Sequence, residues 1–192
     1  VVINDGTDMQ LLAVRFVGNR HPEQNLGPRY RVWIRNHGNA STAPPFNFLL
    51  VASNEVQPLA ELPQAGAVVN GLEAGQVQAV DIRLPLAANR MLVTPEGLKT
   101  PFNYLHVLVD SHRELTEIDE TNNGAVVSRN DILPVDPAAF SSDVTAASPG
   151  SIINVAGEGF GPEPGQVIVS VNGMQVQAEI HGWYDLGVRF AV

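Results

Sequence analysis

No cysteine occurs among the 192 residues. That excludes disulfides, thiolate metal sites and a cysteine nucleophile, while leaving the compartment open. Lysine is nearly absent too: Lys99 is the only one, and 11 basic residues face 20 acidic ones for a formal charge of −9. Composition therefore offers no basic stripe for a nucleic-acid backbone. An anionic membrane surface is disfavoured for the same reason. No run of about 18 apolar residues is present, so no helical span is expected. Helical periodicity is missing as well. The nearest candidate, Val56 to Ala67, is broken by Pro58 and Pro63. Enzyme signatures do not emerge: Pro149-Gly150-Ser151 lacks the context of a serine nucleophile. Gly157-Glu158-Gly159-Phe160-Gly161 matches a phosphate loop only superficially, without the following helix and lysine, and reads as a tight turn. No cleft-forming insertion points to paired carboxylates for glycoside hydrolysis.

Hydrophobic residues make up 44% of the chain, enough to build a core, and glycine (17) and proline (14) punctuate short apolar runs. This pattern predicts an all-β fold of sandwich type. Tyr30 to Arg35 alternates cleanly: Tyr30, Val32 and Ile34 should face in, with Arg31, Trp33 and Arg35 facing out. Strands are also expected over Met9–Val17, Phe46–Val51, Val77–Leu84, Phe102–Val109 and Gly124–Ser128. Phe46–Val51 is apolar on nearly both faces and reads as central. Residues 86–101 read as a long connection. Pro134 and Pro137 mark an extended, semi-rigid linker over 132–142. Beyond it, Val144–Ser148, Ile152–Ala156 and Leu186–Val192 read as strands. Val167–Val171 and Met174–Ile180 flank Asn172-Gly173, the dipeptide that a two-residue type I′ hairpin turn demands. The predicted organisation is one domain over 1–131, the linker, and a second, small or incomplete sandwich over 143–192.

The stretch from Asp110 to Asn123 sits between two predicted strands and is dense in acidic and amide residues. Asp110, Glu114, Glu117, Asp119 and Glu120 bring five carboxylates to one loop, and hard cations such as Ca²⁺ want six to eight oxygens. Asp110, Glu117, Asp119 and Glu120 are accordingly a calcium candidate, although the loop lacks the Asp-x-Asp-x-Asp-Gly spacing of a dedicated calcium loop. The structural alternative is that Asp110, Asn122 and Asn123 pin the corner by local hydrogen bonds, with the other acids solvated. Of five histidines, His21, His37, His106, His112 and His181, no two are spaced as a zinc pair. Zinc would need a further ligand such as Glu114. Trp33, Trp183 and Tyr184 are the aromatic binding candidates, for stacking on sugars or anchoring a protein interface. Trp183 also reads as a plug for the end of its own sandwich. Asn39-Ala40-Ser41 matches a glycosylation sequon, a coincidence in most bacterial proteins.

Residues 9–129 resemble the CARDB-type domain, an immunoglobulin-like module of bacterial and archaeal surface and secreted proteins. The resemblance rests on Val32-x-Ile34-x-Asn36-x-Gly38, on Leu72-x-x-Gly75, and on the corner Val109-Asp110 with Glu117-x-Asp119-Glu120-x-Asn122-Asn123. Residues 143–192 resemble a shortened IPT/TIG-type domain through Ser148-Pro149-Gly150, Gly157-x-Gly159-Phe160-Gly161 and the Val167 to Gly173 strand and turn. Both resemblances imply a non-catalytic structural or adhesive module of an extracellular or cell-surface prokaryotic protein. No cofactor is implied apart from the calcium candidate. The implied partners are proteins or further copies of the chain, with glycan as the alternative. In that alternative, the chain is an ancillary glycan-binding or spacer module of a secreted hydrolase. Val1 to Asn4 precede the CARDB-like stretch that starts at Met9, and the second domain is expected to be short of closing strands. One reading is head-to-tail strand exchange into filaments. The other is a piece cut from a tandem array.

Overall fold

A computed structural model of the chain describes residues 6–18, 26–42, 44–57, 62–161 and 163–192. The apolar start at residues 1–4 and His21 lie outside them. Among the described residues, the first nine strands are β1 (Met9–Gly18), β2 (Arg29–Asn36), β3 (Phe46–Ser53), β4 (Gln64–Val69), β5 (Val77–Arg83), β6 (Leu92–Val93), β7 (Lys99–Thr100), β8 (Tyr104–Val109) and β9 (Gly124–Ser128). Six more follow: β10 (Ala138–Ser142), β11 (Ile152–Glu158), β12 (Ile168–Val171), β13 (Met174–Gln177), β14 (Glu179–Tyr184) and β15 (Gly187–Ala191). The protein is all-β, as the punctuated sequence predicts.

The first unit is an immunoglobulin-like sandwich. One sheet has the order β1-β2-β5 and the other β4-β3-β8-β9, all antiparallel. Alternation decides which side chains fill the space between them. Tyr30, Val32 and Ile34 of β2 are buried, while Arg31, Trp33 and Arg35 stay half-exposed on the outer face. From the opposing sheet come Phe46, Phe48 and Leu50 of β3 and Leu105, Val107 and Val109 of β8. Each fully buried aromatic or branched side chain contributes about 1.5–3 kcal/mol by leaving water. Tyr30 meets Phe16 and Phe102 edge-on, at ring-centroid distances of 5.6 and 6.3 Å. Strand β3 is covered on both faces over most of its length, as its continuous apolar run requires.

Several elements differ from the sequence expectation. Strand β4 is not among the expected strands, because Gln64-Ala65-Gly66-Ala67 carries small residues of weak strand preference. The connection over 86–101 is structured: a 3-10 turn over Leu86–Arg90 buries Ala88, and β6 pairs with β7. The linker expected over 132–142 is corrected most. Residues 133–135 run beside β1, with the Phe16 amide donating to the Leu133 carbonyl (3.0 Å) and the Val135 amide to the Phe16 carbonyl (2.8 Å). Ala138–Ser142 is then a full strand against β11. The strand expected at Val144–Ser148 does not form. There the Val144 amide turns back to Ser142 Oγ, and Asp143 takes the Asn154 amide (2.9 Å) and side chain (2.6 Å), which diverts the chain from the ladder.

The second unit has a four-stranded sheet, β10-β11-β15-β14, and the hairpin β12-β13. Asn172 and Gly173 both adopt positive φ, 50° and 83°, as the Asn-Gly turn demands. The core of this unit is small: Ala178, Val188 and Phe190, with half-buried residues such as Trp183 and Phe160 packed around them.

Candidate functional site

Three sequence motifs far apart in the chain meet at one end of the first sandwich. Asn36, at the end of β2, is fully buried. Its Oδ1 accepts the Asp8 amide (3.3 Å) and the Gly38 amide (3.1 Å). Its Nδ2 donates to the Ala40 carbonyl (2.7 Å) and the Leu72 carbonyl (3.1 Å). Its own carbonyl accepts the Gly75 amide at 2.8 Å. A buried amide with every polar position matched fixes geometry, because any displacement leaves desolvated groups unpaired. Gly38 is required beside it: a Cβ there would lie 2.2 Å from the Gly6 carbonyl oxygen. Leu72-x-x-Gly75 is thereby explained. Leu72 is buried and offers its carbonyl to Asn36, and Gly75 sits at φ 76° where the chain returns.

Residues 6–9 tie this hub to the acidic corner. Gly6 accepts the Asn39 and Ala40 amides, both at 3.1 Å, while Thr7 accepts the Ile118 amide at 2.9 Å. Asp8 Oδ1 accepts from Asn122 Nδ2 at 2.7 Å. The Met9 amide donates to Glu117, whose other oxygen accepts from Asn123 Nδ2 at 2.6 Å. Asp110 itself is buried at φ 48°, and its carboxylate takes the Glu114 amide (2.8 Å) and the Leu115 amide (3.0 Å). Asp110 therefore closes its own loop, a conformation that Asp tolerates better than bulkier residues. Burial pushes the Asp110 carboxyl up, against the pull of the Leu115 and Glu114 amides. Burial likewise pushes Glu117 up to about 7, outweighing the Met9 and Asn123 donors.

The predicted calcium candidate is distributed over these bonds. Asp119 faces Thr121, accepting its amide (2.8 Å) and hydroxyl (2.6 Å). Glu120 accepts the Glu117 amide (3.3 Å), and Glu114 accepts from Asn47. Among the described residues, no three His, Asp or Glu side chains form a group that could hold a metal ion. His106 is buried with Nε2 3.2 Å from the Glu55 carbonyl, and His112 lies 3.6 Å from Glu114.

The aromatic candidates separate. Trp183 donates its indole N–H to the Phe160 (3.2 Å) and Gly161 (3.1 Å) carbonyls and packs on Phe160 within the second core. Tyr184, half-buried, follows it on β14. Trp33 stands apart from both, on the outer face of β2, beside a groove of about 600 Å³ lined by Arg15, Arg31, Pro134, Asp136 and Glu158. Here Arg31 makes two forked ion pairs: to Asp81 (2.7 and 3.1 Å) on the same face, and to Glu158 of β11 (3.0 and 3.2 Å). Planar guanidinium geometry suits this double fork. In the sequence, Glu158 reads only as part of a glycine-rich turn. What could have flagged it is its position between glycines that bring backbones close: a Cβ on Gly157 would lie 2.2 Å from the Ala138 carbonyl oxygen.

Among solved structures, the chain is similar to a β-D-glucoside glucohydrolase from Trichoderma reesei, at 13% identity and a TM-score of 0.37. That match covers 64% of this chain and 19% of the hydrolase chain, so this chain spans only a small part of that protein. No curated protein matches the sequence. The family model for CARDB matches residues 9–127, which run from the first residue of β1 into β9 and take in the Asn36 hub, the Leu72 turn and the Asp110 corner. With more than half of its length matched and its three polar motifs joined in one immunoglobulin-like sandwich, the chain belongs to the CARDB family.

Proposed function

We propose that this chain is a non-catalytic structural or adhesive module of a prokaryotic extracellular or cell-surface protein, acting through protein contacts and assembling head-to-tail. CARDB domains are non-catalytic immunoglobulin-like modules that occur in bacterial surface proteins. The observation that carries the adhesive part is the open hairpin of the second unit. Among the described residues, β12 and β13 pair only with each other, and Ile168, Met174 and Val176 are all more than half exposed. Open strand edges with apolar side chains are templates for strand addition by another chain. The IPT/TIG-type reading of residues 143–192 belongs with this proposal. Light scattering over a range of concentrations tests it. A mass that grows with concentration, and is returned to the monomer by Val176→Lys, is the expected result. A constant mass near 20.6 kDa discards self-assembly of this chain.

A second reading, glycan binding, is favoured by one observation. Trp33 is half-buried on a sheet face where both cross-strand neighbours, Ala13 and Ala79, are small. An accessible indole face is a stacking surface. Under this reading the chain is an ancillary module that holds a larger protein near a polysaccharide.

A further inference from the structure

Composition offers few cations, yet strand register gathers half of the ten arginines on one face. Position by position, the outer surface of the β1-β2-β5 sheet reads Gln10–Arg35–Val77, then Ala13–Trp33–Ala79, then Arg15–Arg31–Asp81, and ends on the pair Arg29–Arg83. Three of the five arginines have partners: Arg31 holds Asp81 and Glu158, Arg29 approaches both acids at 4.0 and 3.8 Å, and Arg83 donates to the Gly27 carbonyl (2.7 Å). Arg15 and Arg35 have no ion pair among the described residues. The Arg35 Nε is buried without a hydrogen-bond partner. In a chain of net charge −9, two guanidinium groups left without carboxylates beside an accessible tryptophan form a local site of opposite sign.

We propose that this face binds a polysaccharide bearing carboxylate or sulfate groups. Trp33 is the stacking platform, and Arg15 and Arg35 contact the anions. The inference rests on the glycan reading above and adds the ligand's charge. Guanidinium matches carboxylate and sulfate oxygens with parallel N–H donors. Arg31, Trp33 and Arg35 follow one another at every second residue, so the row spans about 13 Å and suits a run of sugar rings better than a single one. On the Arg15 side, the row ends at the groove lined by Pro134, Asp136 and Glu158, whose carboxylates give an anionic ligand a lateral boundary.

The test titrates the whole chain with a polyuronate, a sulfated galactan, a neutral β-glucan and a single-stranded oligonucleotide. Variants Trp33→Ala, Arg15→Gln and Arg35→Gln are run beside the control Arg189→Gln. The expected result is binding to one or both anionic glycans, lost on Trp33→Ala, unchanged by the control, and weakened about tenfold by each of the other two substitutions. The two anionic glycans distinguish carboxylate from sulfate. If a variant melts early, the parent's salt dependence decides, because anion contacts weaken as salt rises and stacking alone does not. Equal binding of neutral and anionic chains, insensitive to the arginine variants, overturns the inference and leaves the Trp33 reading standing. No glycan binding at all overturns both. Tighter binding to the oligonucleotide also overturns the inference. So does association of the chain with itself at low salt that Arg35→Gln removes.

Discussion

The first unit hides Phe46, Phe48 and Phe102 completely, whereas the second leaves Phe140 63% and Met174 67% exposed. The polar groups differ in the same way. Asn36 and Asp110 are buried with amide and carbonyl partners on several elements, while Asp143 and Asn154 of the second unit satisfy each other at the surface. A sandwich closed on both sides thus holds its own core. The smaller unit draws order from its contact with the first: Glu158 grips Arg31, and Leu186 packs so closely on β1 that a Cβ on Gly18 would meet it at 2.7 Å. A closed core and open, apolar strand edges are consequently segregated along one chain.

The sharpest way to break this contrast is Asn36→Ala. It leaves the Asp8 and Gly38 amides and the Ala40 and Leu72 carbonyls without their buried partner. We expect a loss of about 3–5 kcal/mol, a large share of the stability of a typical domain. Urea unfolding in a Trp183→Phe background, where Trp33 alone fluoresces as tryptophan, measures it. An effect under about 1 kcal/mol, the level of an ordinary surface substitution, would sink the hub. Next is Phe190→Ala, expected to cost the second unit about 3 kcal/mol. The first unit's transition should stay in place, so that one melting curve becomes two. A single cooperative transition shifted as a whole would mean that the units fold as one.

The smallest effect is the pH response of Glu117. Its carboxyl lies at about 7 in the folded chain against the usual 4.5, so the folded state holds this proton more tightly than the unfolded chain does. Its contribution to stability is therefore full below about pH 4.5 and is lost as pH rises through about 7. Glutamine cannot titrate, and the unpaired Oδ1 of Asn123 can turn to accept its amide. Glu117→Gln should flatten the pH profile between about pH 5 and pH 8 relative to the parent. Parallel profiles would assign the parent's pH response to other groups.

The corner was legible in outline. A dense run of Asp, Glu and Asn between two alternating strands announces a pinned turn, and Asp110 is its pin. The partners were not legible. Asn36 reaches Leu72 across 36 residues, and Glu117 takes the amide of Met9 across 108. Such bonds leave no periodic trace, because a single side chain satisfies them from anywhere in the chain. The arginine face was hidden for a related reason: Arg15, Arg29, Arg31, Arg35 and Arg83 become one surface only when three strands take their register.

By itself the sequence determined what short-range physics controls. Period-two alternation set the inward residues of β2, Asn172-Gly173 set its hairpin, and glycine and proline ruled out long helices. Only the tertiary structure decided where β4 and β10 form, which carboxylates face amides, and which cations remain unpaired. Weak local preference in Ala65-Gly66-Ala67 or Ala138-Ala139 is overridden by an adjacent strand whose backbone groups need partners. Charge pairing, likewise, follows from cross-strand position and not from order along the chain.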